Sequence, residues 1–260
     1  MLFNFTLHPL DRVSHWGEPG EKTLHWFGLT DGEYWIDAGP ARLFEYAETF
    51  SRKHGVGRHL DYFVVRLHED LLEMLPRILE PVPVDLVPCI SGKTSRQWEA
   101  RLSKWSDEAI DSLGEDRWWK IYEEASAWSD WREFNLTYLA QPPRLRMWSD
   151  ADSVHIEWDE WGALFEGEAL WSASTGSLTL SRAHFEEEVR AFDARLMRQM
   201  GERVEAVLKG APIGDASIDL PGLEREHVQR CRKIEAAFTA VSGATDWKLV
   251  REAMSQIAGS

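Results

Sequence analysis

The sequence predicts an α+β fold, a mainly antiparallel sheet built from hairpins and packed by one long helix and several shorter ones. Three observations carry this expectation. Residues 2–8, 24–38 and 144–158 alternate apolar and polar side chains, the period of a half-buried strand. Longer stretches between and after them repeat apolar residues at helical spacing. Fourteen tryptophans among 260 residues, ten of them between Trp98 and Trp171, supply large rings for a packed core. Rings left outside it are of the type that anchors interfaces.

In chain order, residues 2–8 read as a strand ended by Pro9. Residues 24–38 read as a hairpin closed at Asp31-Gly32, a favoured two-residue turn. Its core face would carry Leu29, Tyr34, Phe27, Ile36, His25 and Ala38, and its outer face Trp26, Gly28, Glu33, Trp35 and Asp37. A helix over 59–79 follows, with Pro76 placed to kink or end it. The proline-bearing run 80–93 is an extended connector and the best place for a weak boundary in what reads as one domain over 1–260. A helix from Thr94 to Leu113 presents Trp98, Leu102 and Trp105 on one stripe, and Gly114 stops it. The next, over 115–132, buries Trp118, Ile121 and Trp128, with Trp119 at the edge of its stripe and Trp131 on the opposite side. A second sheet pairs 144–148 with 154–158 through a four-residue loop, setting Met147 against Ile156 and Arg146 against Glu157. Residues 164–171 and 177–180 continue it. Ser181 caps a long helix over 182–208, and shorter helices follow over 223–241 and 246–257.

The net charge is −15, from 29 basic and 44 acidic residues. This disfavours nucleic acid, whose binding comes largely from Lys and Arg, and favours encounter with a cationic partner. Cys89 and Cys231 stand alone, outside any metal or redox spacing. No leader or membrane span is visible, so a cytoplasmic protein with no membrane partner is expected. No cofactor or metal is expected either: phosphate-loop, nucleophile-elbow and zinc motifs are missing, and Ser91-Gly92-Lys93-Thr94 lacks the preceding glycine-rich context.

Two groups of residues tempt a chemical reading. His155, Glu157 and Asp159 alternate on one strand, but Arg144 and Arg146 opposite them suggest ion pairs on a solvated face. His15 and His25 with Asp31, Glu33 and Asp37 could form an acid–base group, although His25 falls on the apolar face. The stretch Asp150–Trp171 holds seven acidic residues and no Lys or Arg. Rings flanked by carboxylates suit a basic protein surface, the rings for affinity and the charge for steering.

The segment Leu24–Asp37, with Trp16-Gly17-Glu18-Pro19-Gly20 before it and Gly167-Glu168 to Trp171-Ser172 after it, resembles an uncharacterised bacterial family that opens with a tryptophan-rich hairpin. The resemblance runs over most of the chain, up to the helix after Ser181. It implies a bacterial cytosolic protein and transfers no activity and no site residue. The expected function is therefore an acidic module that binds a basic protein, in its concrete form a toxin-neutralising immunity protein. Its binding residues are expected to be Trp26, Glu33, Trp35, Asp37, Asp159, Glu160, Trp161, Glu166 and Glu168. The alternative is a hydrolase-like enzyme with a pocket near His25 or His155.

Overall fold

The computed structural model of the chain describes residues 1–18, 21–139, 141–159, 164–214, 216–240 and 245–259. Strand β1 (Phe3–Leu7) lies antiparallel to β2 (Asp31–Ala38), with Phe3 opposite Ile36 and Leu7 opposite Gly32. β3 (Ala41–Leu43) pairs with the end of β2. After α1 (Glu48–His54), β4 (Leu60–Phe63) pairs with its start, Asp31 opposite Phe63.

The hairpin expected over 24–38 does not form. Leu24–Thr30 winds through turns into a single 3-10 turn, and Asp31 and Gly32 are strand residues. A Cβ on Gly32 would stand 2.3 Å from the Thr6 carbonyl oxygen. The glycine thus serves the close approach of β1 and not a tight turn. Long-range pairing on both edges of β2 has overridden a local signal. Side-chain parity survives the change: Tyr34, Ile36 and Ala38 are buried, and Glu33, Trp35 and Asp37 face outward.

Helix α2 (Val64–Ile78) begins directly after β4, which takes the first residues of the helix expected there. α3 (Val87–Ile90), α4 (Gly92–Leu113) and α5 (Glu115–Asp130) form a helical layer, with Gly114 at φ 74° between the last two. The connector before them packs against the body. Val82 N–H donates to the Ser149 carbonyl at 2.8 Å, and Val82, Leu86 and Ile90 are buried beside Trp98, Trp105 and Trp128.

β5 (Arg144–Ser149) and β6 (Ser153–Asp159) pair in the expected register, Met147 with Ile156, Leu145 with Trp158, Arg146 with Glu157. The Asp150 carboxylate closes their loop by accepting the N–H groups of Asp152 and Ser153. The segment 164–171 does not join this sheet. β7 (Leu164–Phe165) and β8 (Glu168–Ala169) pair only with each other, around Glu166 and Gly167 at φ 50° and 85°. These are the two positive angles of a type I′ turn. β9 (Gly176–Ser181) completes the second sheet beside β6, and the Trp158 ring lies over Gly176, where a Cβ would meet it at 2.4 Å.

α6 (Arg182–Leu208) is capped by the Ser181 hydroxyl, which accepts from His184 N–H, and buries Phe185, Val189, Phe192, Leu196, Met200, Val204 and Val207 as expected. The helix expected over 223–241 divides at Cys231 into α7 (Leu220–Arg230) and α8 (Lys233–Thr239); α9 (Trp247–Ala258) follows. Buried side chains gather into two clusters. One joins the N-terminal sheet, the inner face of the second sheet, α2 and α6, and the other joins α3, α4, α5, α9 and Trp148. Among the described residues no helix is long and apolar enough to cross a membrane.

Candidate functional site

The outer face of the N-terminal sheet is polar because strand parity sends one register of side chains there. β2 contributes Asp31, Glu33, Trp35 and Asp37, β4 contributes Asp61, and His8 follows β1 directly opposite Asp31. The carboxylates already have partners. Asp37 is held by Arg42 Nε at 2.7 Å and by the Asn4 amide at 3.0 Å. Glu33 lies 3.5 Å from His59 Nδ1, and the His59 ring stacks on Trp35 at 4.0 Å. Burial holds the His59 imidazole below its ordinary value, against the pull of Glu33. His8 Nε2, Asp31 and Asp61 bring three ligand atoms within 4.8 Å of one another, a set that could hold a divalent cation. Each member also has a place without one. His8 and Asp61 bond each other at 2.9 Å, and Asp31 accepts the Ser14 N–H at 2.7 Å. His15 and His25 do not join this face; His25 is exposed and stacks on Trp16 at 4.5 Å.

On the second sheet His155, Glu157 and Asp159 go three ways. His155 lies between Asp150 and Thr179 and stacks on Trp148. Asp159 pairs with Arg96 and accepts from Thr175. Glu157 accepts from Ser91 Oγ at 2.5 Å, from the Gly92 N–H at 3.1 Å and from Trp148 Nε1 at 3.1 Å. Its carboxylate thus occupies the start of α4, the place where a phosphate would sit on a helix dipole. The opposed arginines turn away from these acids. Arg144 and Arg146 both bond Glu99 of α4 and Glu133, tying the helical layer to the sheet. A cavity of about 490 Å³ between β6 and the start of α4 is lined by these groups together with Lys93 and Trp158. Glu168 pairs with Lys53 at 2.8 Å, and Glu166 is an exposed turn residue. Glu160 and Trp161 lie outside the described residues.

The tryptophans sort differently from expectation. Trp26, expected on an outer face, is fully buried. The turns of 24–30 carry it beneath α7, where its Nε1 donates to His227 Nδ1 at 3.3 Å and Arg230 covers its ring at 4.2 Å. Trp35 is partly covered by His59, and Trp158 and Trp171 are buried. The half-exposed rings among the described residues are Trp119 at 52% and Trp131 at 46%, both at α5. They lie twelve residues apart, about 18 Å along the axis and about 120° around it. Between them the open side of the helix carries Asp116, Glu123 and Ala127, with Glu124 beside Trp131. Trp119 is steadied by stacking on Tyr122 at 6.1 Å, and Trp131 by Arg77 at 4.3 Å. Beside Trp131 a cleft of about 270 Å³ opens between α5 and α9, with Leu249 at its rim. From Ser106 to Trp131 the chain has eight acidic and two basic residues. The helical wheel already placed Trp131 outward; Trp119 at the stripe edge was the weaker signal.

Two arrangements resemble catalytic pairs. His68 and Asp193 bond at 2.8 Å in the core between α2 and α6, both buried. Cys231 Sγ lies 3.7 Å from His227 Nε2, but Trp26 donates to Nδ1, so the neutral ring carries its proton on Nε2 and cannot take one from the thiol. Burial lowers the His227 imidazole and raises the Cys231 thiol, both against an ion pair.

Residues 2–253 match DUF5984, a family of unknown function, and the chain belongs to that family. No curated protein and no solved structure matches it.

Proposed function

We propose that this member of DUF5984 is an acidic binding module that docks a basic protein on the open side of α5. The observation that carries the reading is the pair of half-exposed indoles, Trp119 and Trp131, set among Asp116, Glu123 and Glu124 in a chain of net charge −15. Large rings supply affinity at the centre of an interface, and exposed carboxylates around them steer a cation and speed its approach. Glu33, Asp37, Asp159 and Glu168 add to the long-range field but have partners of their own in the His59 ring and the cations Arg42, Arg96 and Lys53. The concrete form of the reading is an immunity protein that neutralises a small basic toxin of the same bacterial cell.

The test is capture from native extract at low salt by the wild-type chain and by a Trp119→Ala/Trp131→Ala double variant. The expected result is a basic protein retained by the wild type alone. Its association rate should fall roughly tenfold or more as salt rises from low to physiological levels. Retention of the same partner by both chains, or an association rate indifferent to salt, rejects the reading.

A further inference from the structure

We infer that the cavity between α2 and the end of α5 is a receptor for a small organic cation, an alkylammonium or guanidinium group, with the Asp70 carboxylate as its buried acceptor. The cavity measures about 370 Å³ and is lined by Arg66, Asp70, Glu73, Arg77, Asp130 and Trp131, among others.

The Asp70 side chain is 8% exposed. Its Oδ1 faces Arg66 at 3.3 Å, whereas Oδ2 is buried with no hydrogen-bond donor. A desolvated carboxylate oxygen without a donor costs folding free energy, and native proteins seldom leave one. A ligand N–H entering the cavity supplies what is missing. Charge selects the ligand's sign. Arg77 is drawn to Glu80 at 3.8 Å and Thr245 at 3.3 Å and lies over the Trp131 ring, and Glu133 bonds Arg144 and Arg146. Glu80 is shared with Arg132, so Arg77 counts with Arg66, and Asp70, Glu73 and Asp130 outnumber the two. An anion would meet three carboxylates, and a cation gains their attraction in addition to the bond at Oδ2 that a neutral donor could also make. The half-exposed Trp131 ring adds a surface on which an organic cation can rest. The volume is at the lower end of ligand pockets. It suits a short carbon chain with a charged end better than a nucleotide.

Two sources share this chemistry, a free diamine and the Lys or Arg side chain of a protein docked on α5. The inference rests on Asp70 and its cavity, not on the docking reading. The test is calorimetric titration of the full chain at low salt with 1,4-diaminobutane and, separately, with Nα-acetyl-lysine methylamide. Saturable binding of at least one probe is expected, weakened roughly tenfold or more by Asp70→Asn and more modestly by Glu73→Gln at its exposed position. Preference for the diamine identifies a free small cation, and preference for the lysine amide a protein side chain. Trp119→Ala removes a docking anchor and should leave both titrations unchanged, which separates failure of the docking reading from failure of this one. Absence of saturable binding by either probe, or equal affinity in wild type and both carboxylate variants, overturns the inference. Should Asp70→Asn fold poorly, Glu73→Gln decides alone.

Discussion

At the scale of single residues, position in sequence spoke well for direction and poorly for company. Strand parity put Glu33, Trp35 and Asp37 outward, which the structure repeats, but gave no hint that His8, His59 and Asp61 would stand beside them, because β4 reaches β2 across a long loop. Trp26 was misjudged for the same reason: α7, two hundred residues on, buries it. Asp70 drew no notice beside Leu71 on α2, yet burial holds its carboxyl at about 6, above its ordinary 3.8. The folded chain therefore binds this proton more tightly than the unfolded chain. The resulting stabilisation is complete below the ordinary value and is lost as pH rises through about 6. Arg66 opposes the shift, Glu69 and Glu73 on the same helix enlarge it, and Tyr34 and Tyr138 lie within electrostatic reach. Asp70→Asn removes the titration while keeping the shape. Relative to wild type, the variant should gain stability between about pH 4 and about pH 7, on the order of 1–2 kcal/mol once solvent screening is allowed for. Urea unfolding at the two pH values measures this; an identical difference at both would refute it.

Among elements, those with agreeing local signals were legible and those decided by distant pairing were not. The β5–β6 register followed from loop parity, and α6 from its serine cap and seven-residue stripe. The hairpin at 24–38 failed because Asp-Gly is only a preference, and β1 and β4 compete for the same strand. A turn of that type exists instead at Glu166-Gly167, where a glutamate bears φ 50°. Asparagine tolerates that conformation better. Glu166→Asn should raise unfolding stability by about 0.5–1 kcal/mol, read as a higher thermal midpoint; a lower midpoint would show that the glutamate makes a compensating contact.

Over the whole molecule, the α+β class was readable from alternating and helical periods, but the split of the core into two clusters was not. Nothing local in Arg144 and Arg146 says that they look past Glu157 and Asp159 toward Glu99 and Glu133. The link appears only once α4 crosses the sheet. Arg146 is the more buried of the pair and also donates to the Ile90 carbonyl at 2.8 Å. Arg146→Met leaves Glu99 and Glu133 with Arg144 alone and should cost about 3 kcal/mol in equilibrium unfolding. A neutral outcome would mean that apolar packing alone joins the two clusters.

The seat of Glu157 at the opening of α4 fills a position that an anion would otherwise take. A tethered carboxylate stands there at an effective concentration of millimolar order or more. Inorganic phosphate or a nucleotide must evict it before reaching the backbone N–H of Gly92. The chain carries its own plug for that socket.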